Sequence, residues 1–167
     1  ITVINNFANT VLNLTLRDVK IDVSDTGSYW VEGKAALSVQ GKGNVEIELD
    51  GNNELKSGKG RAGLEKTSTG TLTLKDDNKE AGSLTATGGY NGAGIGGGEQ
   101  GNGEDITITD GTVNAAGGVS GAGIGGGVNA SGSNVTVSGA AQVTATAGKS
   151  DGYYGAGATL SLIHISE

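Results

Sequence analysis

The seven residues GAGIGGG occur twice in this chain, at Gly92 to Gly98 and at Gly121 to Gly127, 29 residues apart. Each copy contains GxGxxG, the pattern whose glycines let a backbone approach the pyrophosphate of a dinucleotide. That use requires a helix directly after the glycines. The segments that follow, EQGNGEDITITDG and VNASGSNVTVSG, are poor helix formers. We therefore do not expect a nucleotide site, and a motif that recurs at a fixed spacing indicates a repeat architecture.

Other short segments recur in the same phase, and each alternates apolar and polar residues as a strand with one buried face does. The start of the chain is interpreted as an earlier copy, with VLNLTLRD, VKIDVSD and SYWVEG as its three segments. One later series is NVEIELDG at Asn44, GTLTLKDD at Gly70, DITITDG at Asp105 and NVTVSGA at Asn134; the next is ELKSG at Glu54, SLTATGG at Ser83, TVNAAGG at Thr112 and QVTATAG at Gln142.

Three extended segments in each repeat of roughly 30 residues predict an all-β fold, a three-sided parallel β-helix of about five coils. The alternative is a β-sandwich or meander, although its hairpins would not require whole triplets of strands to recur. The alternation predicts inward-pointing residues that stack from coil to coil: Leu12, Leu14, Leu16, Val45, Ile47, Leu49, Leu72, Leu74, Ile106, Ile108, Val135 and Val137. In the glycine motif, Ala93 and Ile95 are expected to point inward, with Gly94 and Gly96 outward, where glycine turns a corner or admits another surface.

Composition narrows the classes of partner. The chain has 33 Gly, no Pro and no Cys, and a formal net charge of −7, which argues against nucleic acid and against an anionic membrane surface. No run of about 20 apolar residues exists, so no membrane insertion is expected. We expect an extracellular protein, secreted or attached to a cell wall.

The domain is expected to span residues 1–159, as one piece of a longer protein. The last eight residues, 160–167, read LSLIHISE and match a translation of a common sequencing-adapter DNA, so this tail is interpreted as an artefact of metagenomic assembly. His164, the one histidine of the chain, lies in that tail and is left out of the functional argument.

Aromatic residues are the first candidates for ligand binding. Trp30, in SYWVEG, is predicted to point outward between inward Tyr29 and Val31, at the position that Gly63 and Gly94 take in later repeats. An exposed indole is a platform on which a sugar ring stacks; the alternative is that it packs against a preceding segment. Three further tyrosines precede the same strand in other repeats and are expected to rim the same side: Tyr90, Tyr153 and Tyr154.

Polar outward residues on the strands are the second set of candidates. Glu46 and Glu48 are expected to share one outer face about 7 Å apart, a separation at which paired carboxylates hydrolyse glycosides. The alternative is that they are solvated or paired with Arg17 or Lys75. Outward threonines offer hydroxyls to a polysaccharide or, less well matched in spacing, to ice, and the candidates are Thr73, Thr107 and Thr109.

Calcium is a candidate ligand of the turn Asp76-Asp77-Asn78, which offers several hard oxygens. An ordinary Asx turn is the alternative. We expect no enzyme activity, because Arg17 and Arg61 are the only arginines and no acidic cluster converges on either face, so the base and calcium cluster of a polysaccharide lyase are missing.

The segments VLNLTLRDVKIDVSD, SYWVEG and NVEIELDGNNELKSG resemble the opening of a bacterial family of carbohydrate-binding β-helix domains, known from clostridia. LTATGGYNGAGIGGG and the repeats after it are similar to those of large surface proteins of gut Firmicutes. The resemblance spans Val11 to Ala158. It implies a right-handed parallel β-helix that binds plant polysaccharide and calcium without lyase activity, although no short motif assigns the calcium ligands to residues here.

The sequence thus predicts a non-catalytic cell-surface or secreted module that binds polysaccharide, either of the plant cell wall or of a host. Other domains of the same surface protein are expected partners. Two alternatives stay open, a structural stalk or adhesin spacer and a fragment of a polysaccharide lyase or hydrolase.

Overall fold

The computed structural model describes residues 1–152 and 162–165. In these residues the chain forms strands joined by turns and contains no helix. In chain order the strands are β1 (Thr2–Asn5), β2 (Val11–Arg17), β3 (Lys20–Asp22), β4 (Leu37–Gly41), β5 (Asn44–Lys56), β6 (Leu64–Lys66), β7 (Leu72–Lys75), β8 (Gly82–Thr87), β9 (Ile95–Gly96), β10 (Gly103–Ile108), β11 (Thr112–Ala116), β12 (Ile124–Gly125), β13 (Gly132–Val137), β14 (Gln142–Thr146) and β15 (Leu162–Ile165).

The strands stack into three parallel faces. Sheet A has the order β1-β4-β6-β9-β12, and its five levels correspond to about four turns of the chain. Sheet B contains β2, the first half of β5, β7, β10 and β13, and sheet C contains β3, the second half of β5, β8, β11 and β14. Strand β15 joins β14 antiparallel at the far edge of sheet C. The predicted parallel β-helix is confirmed.

Ladders of apolar side chains fill the interior, as the alternation predicts. On sheet B the backbone register places Leu12, Val45, Leu72, Ile106 and Val135 one above the other. Val45, Leu72 and Ile106 are completely buried, whereas Leu12 is 38% exposed because it lies at the end of the stack. Burial between neighbouring coils, and not within one coil, is therefore what stabilises each repeat.

The first coil departs from the predicted alignment. SYWVEG is not a strand: Ser28 and Val31 bond each other's backbone in a tight turn, and Tyr29 and Val31 are 77% and 63% exposed. The strand of this coil on sheet A begins at Leu37, which pairs with Leu64. The prediction that Tyr29 and Val31 point inward, at the level of Gly63, was wrong.

The GAGIGGG motif lies on sheet A and packs against its own neighbours. Ala93 and Ile95 are buried, as predicted. Gly94 and Gly96 are also buried, so the expectation that they face outward was wrong. A Cβ atom on Gly94 would lie 2.5 Å from the carbonyl oxygen of Gly123 and 2.6 Å from the backbone nitrogen of Ala116. Glycine therefore lets successive coils and the end of sheet C approach closely.

A buried asparagine occupies the corner between sheets B and C. Asn53 is 2% exposed and pairs with Leu84. The repeats of the sequence align Glu54 with Ser83, whereas in the structure Glu54 pairs with Thr85, two residues further along. The amide nitrogen of Asn53 donates to the carbonyl oxygens of Leu16, Asp50 and Ser83, and its amide oxygen accepts from the backbone N–H of Val19. Because every polar atom is satisfied, the side chain is tolerated inside.

Candidate functional site

A cleft of about 1280 Å³ opens at the corner where sheet C passes into sheet A. The cleft is lined by Lys56 and Thr87 at the ends of β5 and β8, by Ser57 just beyond β5, and by residues of the loop between β3 and β4. Gly58 and Gly89 stack so closely in this corner that a Cβ on Gly89 would lie 1.9 Å from the carbonyl oxygen of Gly58. At these two glycine positions the corner carries no side chain.

Three aromatic rings border this cleft. Trp30 is 87% exposed, Tyr29 is 77% exposed and Tyr90 is 39% exposed. The rings of Tyr29 and Trp30 meet edge to face, with centroids 4.6 Å apart and an interplanar angle of 81°. The structure thus brings Trp30 and Tyr90 to one place, as the sequence predicts, although it does so through a loop and not through a strand. Tyr153 and Tyr154 lie outside the described residues.

Lys59 links the aromatic residues of different coils. Its ammonium nitrogen lies 5.9 Å from the ring centroid of Tyr29 and 5.9 Å from that of Tyr90, and it donates to the carbonyl oxygen of Tyr29. The hydroxyl of Tyr90 donates to the carboxylate of Asp151. These contacts orient apolar ring faces next to polar groups, an arrangement that suits a ligand with both hydroxyl groups and apolar faces.

Backbone contacts fix the loop that carries Trp30. The hydroxyl of Thr26 donates to the carbonyl oxygen of Val23 and accepts from the N–H of Lys34. The N–H of Gly33 donates to the carbonyl oxygen of Lys59 over 2.7 Å, and the N–H of Lys59 donates to that of Thr26 over 3.1 Å. The two ends of the loop are therefore tied to the second coil, and the indole is left at its tip.

The other predicted ligand residues lie on the outer face of sheet B. Glu46, Thr73 and Thr107 stack directly in register, and Glu48 lies beside Lys75. The structure thus confirms that Glu46 and Glu48 share a face, and it places Thr109 at the end of the neighbouring row, where its N–H donates to the carbonyl oxygen of Leu74. These residues do not line the aromatic cleft, so the seven predicted ligand residues divide between two surfaces.

Both glutamates are engaged by neighbouring residues. Lys75 lies 3.4 Å from the carboxylate of Glu46, the ion pair that was one of the predicted alternatives. Glu48 is 8% exposed and accepts hydrogen bonds from the backbone N–H groups of Asp77 and Asn78. Burial, together with the nearby Asp77, raises the pKa of the Glu48 carboxyl above its ordinary value. Glu48 therefore organises the following turn.

The turn proposed for calcium is closed by its own hydrogen bonds. The carboxylate of Asp76 accepts from the N–H of Gly82, and Asn78 accepts from the N–H of Glu80, which is an Asx turn. The amide nitrogen of Asn78 donates to Asp50 over 2.6 Å. Within residues 1–152 and 162–165, no group of three or more His, Cys, Asp or Glu side chains is arranged to hold a metal ion. Calcium binding by Asp76, Asp77 and Asn78 stays a prediction.

Comparison with known protein families, curated proteins and solved structures finds no significant match. Across the described ranges, no helix is long and apolar enough to cross a membrane. The fold places this protein in the class of parallel β-helices, and the loop between β3 and β4 adds aromatic residues at one corner.

Two residues of this cleft do not follow from the sequence pattern. The alternation predicts an inward Tyr29, and it assigns no role to Lys59. The periodic pattern carries no signal for either residue, because both lie in turns. Once the register is known, Lys59 and Tyr90 are recognisable as residues that follow the stacked glycines Gly58 and Gly89.

Proposed function

We propose that the protein is a non-catalytic β-helix module that binds polysaccharide in the cleft beside Trp30. The observation that supports this most is that three exposed rings, Tyr29, Trp30 and Tyr90, border one open cleft of about 1280 Å³. Sugar rings present apolar faces that stack on aromatic rings and hydroxyls that bond polar groups at the edges. An extracellular location, secreted or attached to a bacterial cell wall, is part of the proposal.

The absence of a catalytic role is also proposed, and the state of the acidic pair supports it. Glu46 is paired with Lys75, and Glu48 accepts hydrogen bonds from the following turn. Neither glutamate lines the aromatic cleft. A hydrolase would need two carboxyls facing one bound glycosidic bond.

Affinity electrophoresis tests the proposal. The protein is run in native gels that contain pectin, a soluble cellulose derivative or a host glycan, with and without a calcium chelator. We expect one of these polysaccharides to slow the migration, and we expect Trp30→Ala to abolish the effect. Phe7→Ala is the matched control, because Phe7 is an aromatic residue that is 73% exposed and lies away from the cleft.

A structural stalk is the second candidate, and the continuous stack of buried Val, Leu and Ile residues favours it, since such a stack makes a rigid rod. Migration unaffected by every polysaccharide would support the stalk and contradict binding. Binding that survives in Trp30→Ala would contradict the aromatic platform. New ultraviolet absorbance from polygalacturonate would contradict the non-catalytic assignment and indicate a lyase.

A further inference from the structure

Lys66 occupies a core position of sheet A. It is the last residue of β6, and the register pairs it with Val39, which is completely buried. Lys66 is itself 3% exposed. Lysine is almost never buried to this extent unless a counter-charge accompanies it. Val39 shows that an apolar side chain suits this position, but Lys66 places an amine there.

The amine bonds a backbone carbonyl group. Its nitrogen donates to the backbone carbonyl oxygen of Ser68 over 2.8 Å. In the part of the chain that the structure describes, no carboxylate lies within ion-pairing distance of it. Burial lowers the pKa of the Lys66 ammonium, which the charges of Asp105 and Glu104 partly oppose. The uncharged amine, the nucleophilic form, is therefore favoured relative to that of a solvated lysine.

Lys66 and Ser68, whose carbonyl oxygen accepts the bond from the amine, both line a pocket of about 350 Å³. It lies at the corner where sheet A passes into sheet B, and it is separate from the aromatic cleft, with which it shares no lining residue. Gly97 and Gly98, just beyond β9, also line this pocket and contribute no side chains to it. The volume is at the lower end of the range of small-molecule pockets, which is roughly 300–1,000 Å³.

The charged residues that line the pocket indicate whether it suits an anion or an uncharged electrophile. A buried ammonium would attract an anion, but Glu104 and Asp105 line the same pocket and repel one. An uncharged electrophile meets no such repulsion, and a neighbouring carboxyl is suited to proton transfer. The arrangement therefore favours a small carbonyl compound over phosphate or a carboxylate.

We propose that Lys66 is an amine nucleophile that condenses with a small aldehyde in this pocket. The lone pair of Nζ attacks the carbonyl carbon, and one proton passes from the nitrogen to the carbonyl oxygen to give a carbinolamine. The hydroxyl then takes up a second proton and leaves as water, and the nitrogen loses its remaining proton. The products are an imine and one water molecule, so no oxidant or reductant is consumed. The substrate class is a short hydroxyaldehyde, such as the open-chain end of a small sugar.

Reductive trapping tests this site. The full chain is incubated near neutral pH with glycolaldehyde and sodium cyanoborohydride, and the modified residues are located by peptide mass mapping over time. We expect one hydroxyethyl group to appear on Lys66 before any appears on the exposed lysines, among them Lys20, Lys34 and Lys79. A lysine that is merely buried would be modified last, so that order, or an unmodified Lys66, would overturn the proposal.

Two variants and one control complete the test. Lys66→Arg keeps the charge and Lys66→Met keeps the apolar stem. In each variant we expect the single hydroxyethyl group that forms first on the natural chain to be absent. The order of labelling in the natural chain decides the question even if neither variant folds. Trp30→Ala should label at Lys66 as the natural chain does, so failure of polysaccharide binding and failure of this reaction are observed separately. An early adduct that persists in both folded variants contradicts the assignment to Lys66.

Discussion

The ammonium of Lys59 lies 5.9 Å from the ring centroid of Tyr29 and donates a hydrogen bond of 3.3 Å to the carbonyl oxygen of the same residue. One side chain of the second coil thus holds both the ring and the backbone of the loop that presents Trp30. The same ammonium nitrogen lies 5.9 Å from the ring centroid of Tyr90, so Lys59 also contacts the third coil. Cation–π contacts at exposed sites contribute about 0.5–1 kcal/mol each.

Lys59→Met is therefore expected to loosen the Trp30 loop without unfolding the protein. Loss of about 0.5–1 kcal/mol of local stability corresponds to amide exchange that is roughly two- to five-fold faster. Hydrogen exchange at the amides of Ser28 and Gly33, which bond Val31 and Lys59, measures this. Lys34→Met, an exposed lysine of the same loop, is the control. Equal exchange in both variants would contradict the role of Lys59.

Arg61 and Glu65 form a second link, at the start of strand β6. The guanidinium donates twice, from Nε over 2.9 Å and from Nη2 over 2.5 Å, and Glu65 is 3% exposed. Arg61→Met leaves a buried carboxylate without its partner, which we expect to lower the free energy of unfolding by about 3 kcal/mol. Urea denaturation measures the change.

The double variant Arg61→Met with Glu65→Gln removes the stranded charge and is expected to regain part of that loss. Lys56→Met removes an exposed ion pair with Glu54 and should change little. If Arg61→Met were as stable as the natural chain, the ion pair would have no structural role.

Gly94→Ala tests whether the glycine motif serves close packing. The added methyl group would lie 2.5 Å from the carbonyl oxygen of Gly123 and 2.6 Å from the backbone nitrogen of Ala116, so the coils must separate. We expect a loss of roughly 1–3 kcal/mol in the free energy of unfolding, as for other overpacked sites. Gly101→Ala, whose methyl group would have 3.1 Å to its nearest neighbour, is the milder control. If Gly94→Ala and Gly101→Ala unfolded at the same temperature, close packing at Gly94 would not be the reason for the glycine.

Much of the architecture follows from the sequence because its physical cause is local and repeated. Alternation in NVEIELD determines that Val45, Ile47 and Leu49 turn inward, and all three are completely buried. Recurrence of GAGIGGG predicts that Ile95 and Ile124 stack, and they are paired in β9 and β12. Alternation and period together are enough to specify a stack.

The remainder depends on contacts that no periodic pattern encodes. Tyr29, Trp30 and Val31 mimic the apolar rhythm of a strand, but Gly27 has a φ of +93° and the chain turns there. Asn53 is accepted inside because three carbonyl groups, of Leu16, Asp50 and Ser83, lie within reach of its amide. The cleft joins residues about one coil apart, and their meeting is visible only once the register is known.

The buried carboxyl of Asp50 is expected to make the free energy of unfolding depend on pH. Hydrogen bonds from Arg17 and then Asn78 lower the pKa of its carboxyl, and Asp50 is 1% exposed. Since the folded pKa is below the unfolded one, the stabilisation is complete above the unfolded value of about 3.9 and is lost as the pH falls toward the folded value. Urea titrations below about pH 4 should show the free energy of unfolding decreasing with falling pH.

Asp50→Asn isolates this contribution, because the amide does not titrate in this range. Arg17 and Asn78 bond different oxygens of Asp50, so the amide oxygen keeps only one of these acceptor roles, and the comparison uses the slopes of the titration curves and not the absolute stabilities. The variant should lose less stability than the natural chain over the same fall in pH. Glu48 acts in the opposite sense in both proteins, since its raised pKa favours the folded state as the carboxyl takes up a proton. The difference between the two titration curves therefore reports Asp50 alone. Parallel curves would mean that the Arg17–Asp50 bond does not couple folding to pH.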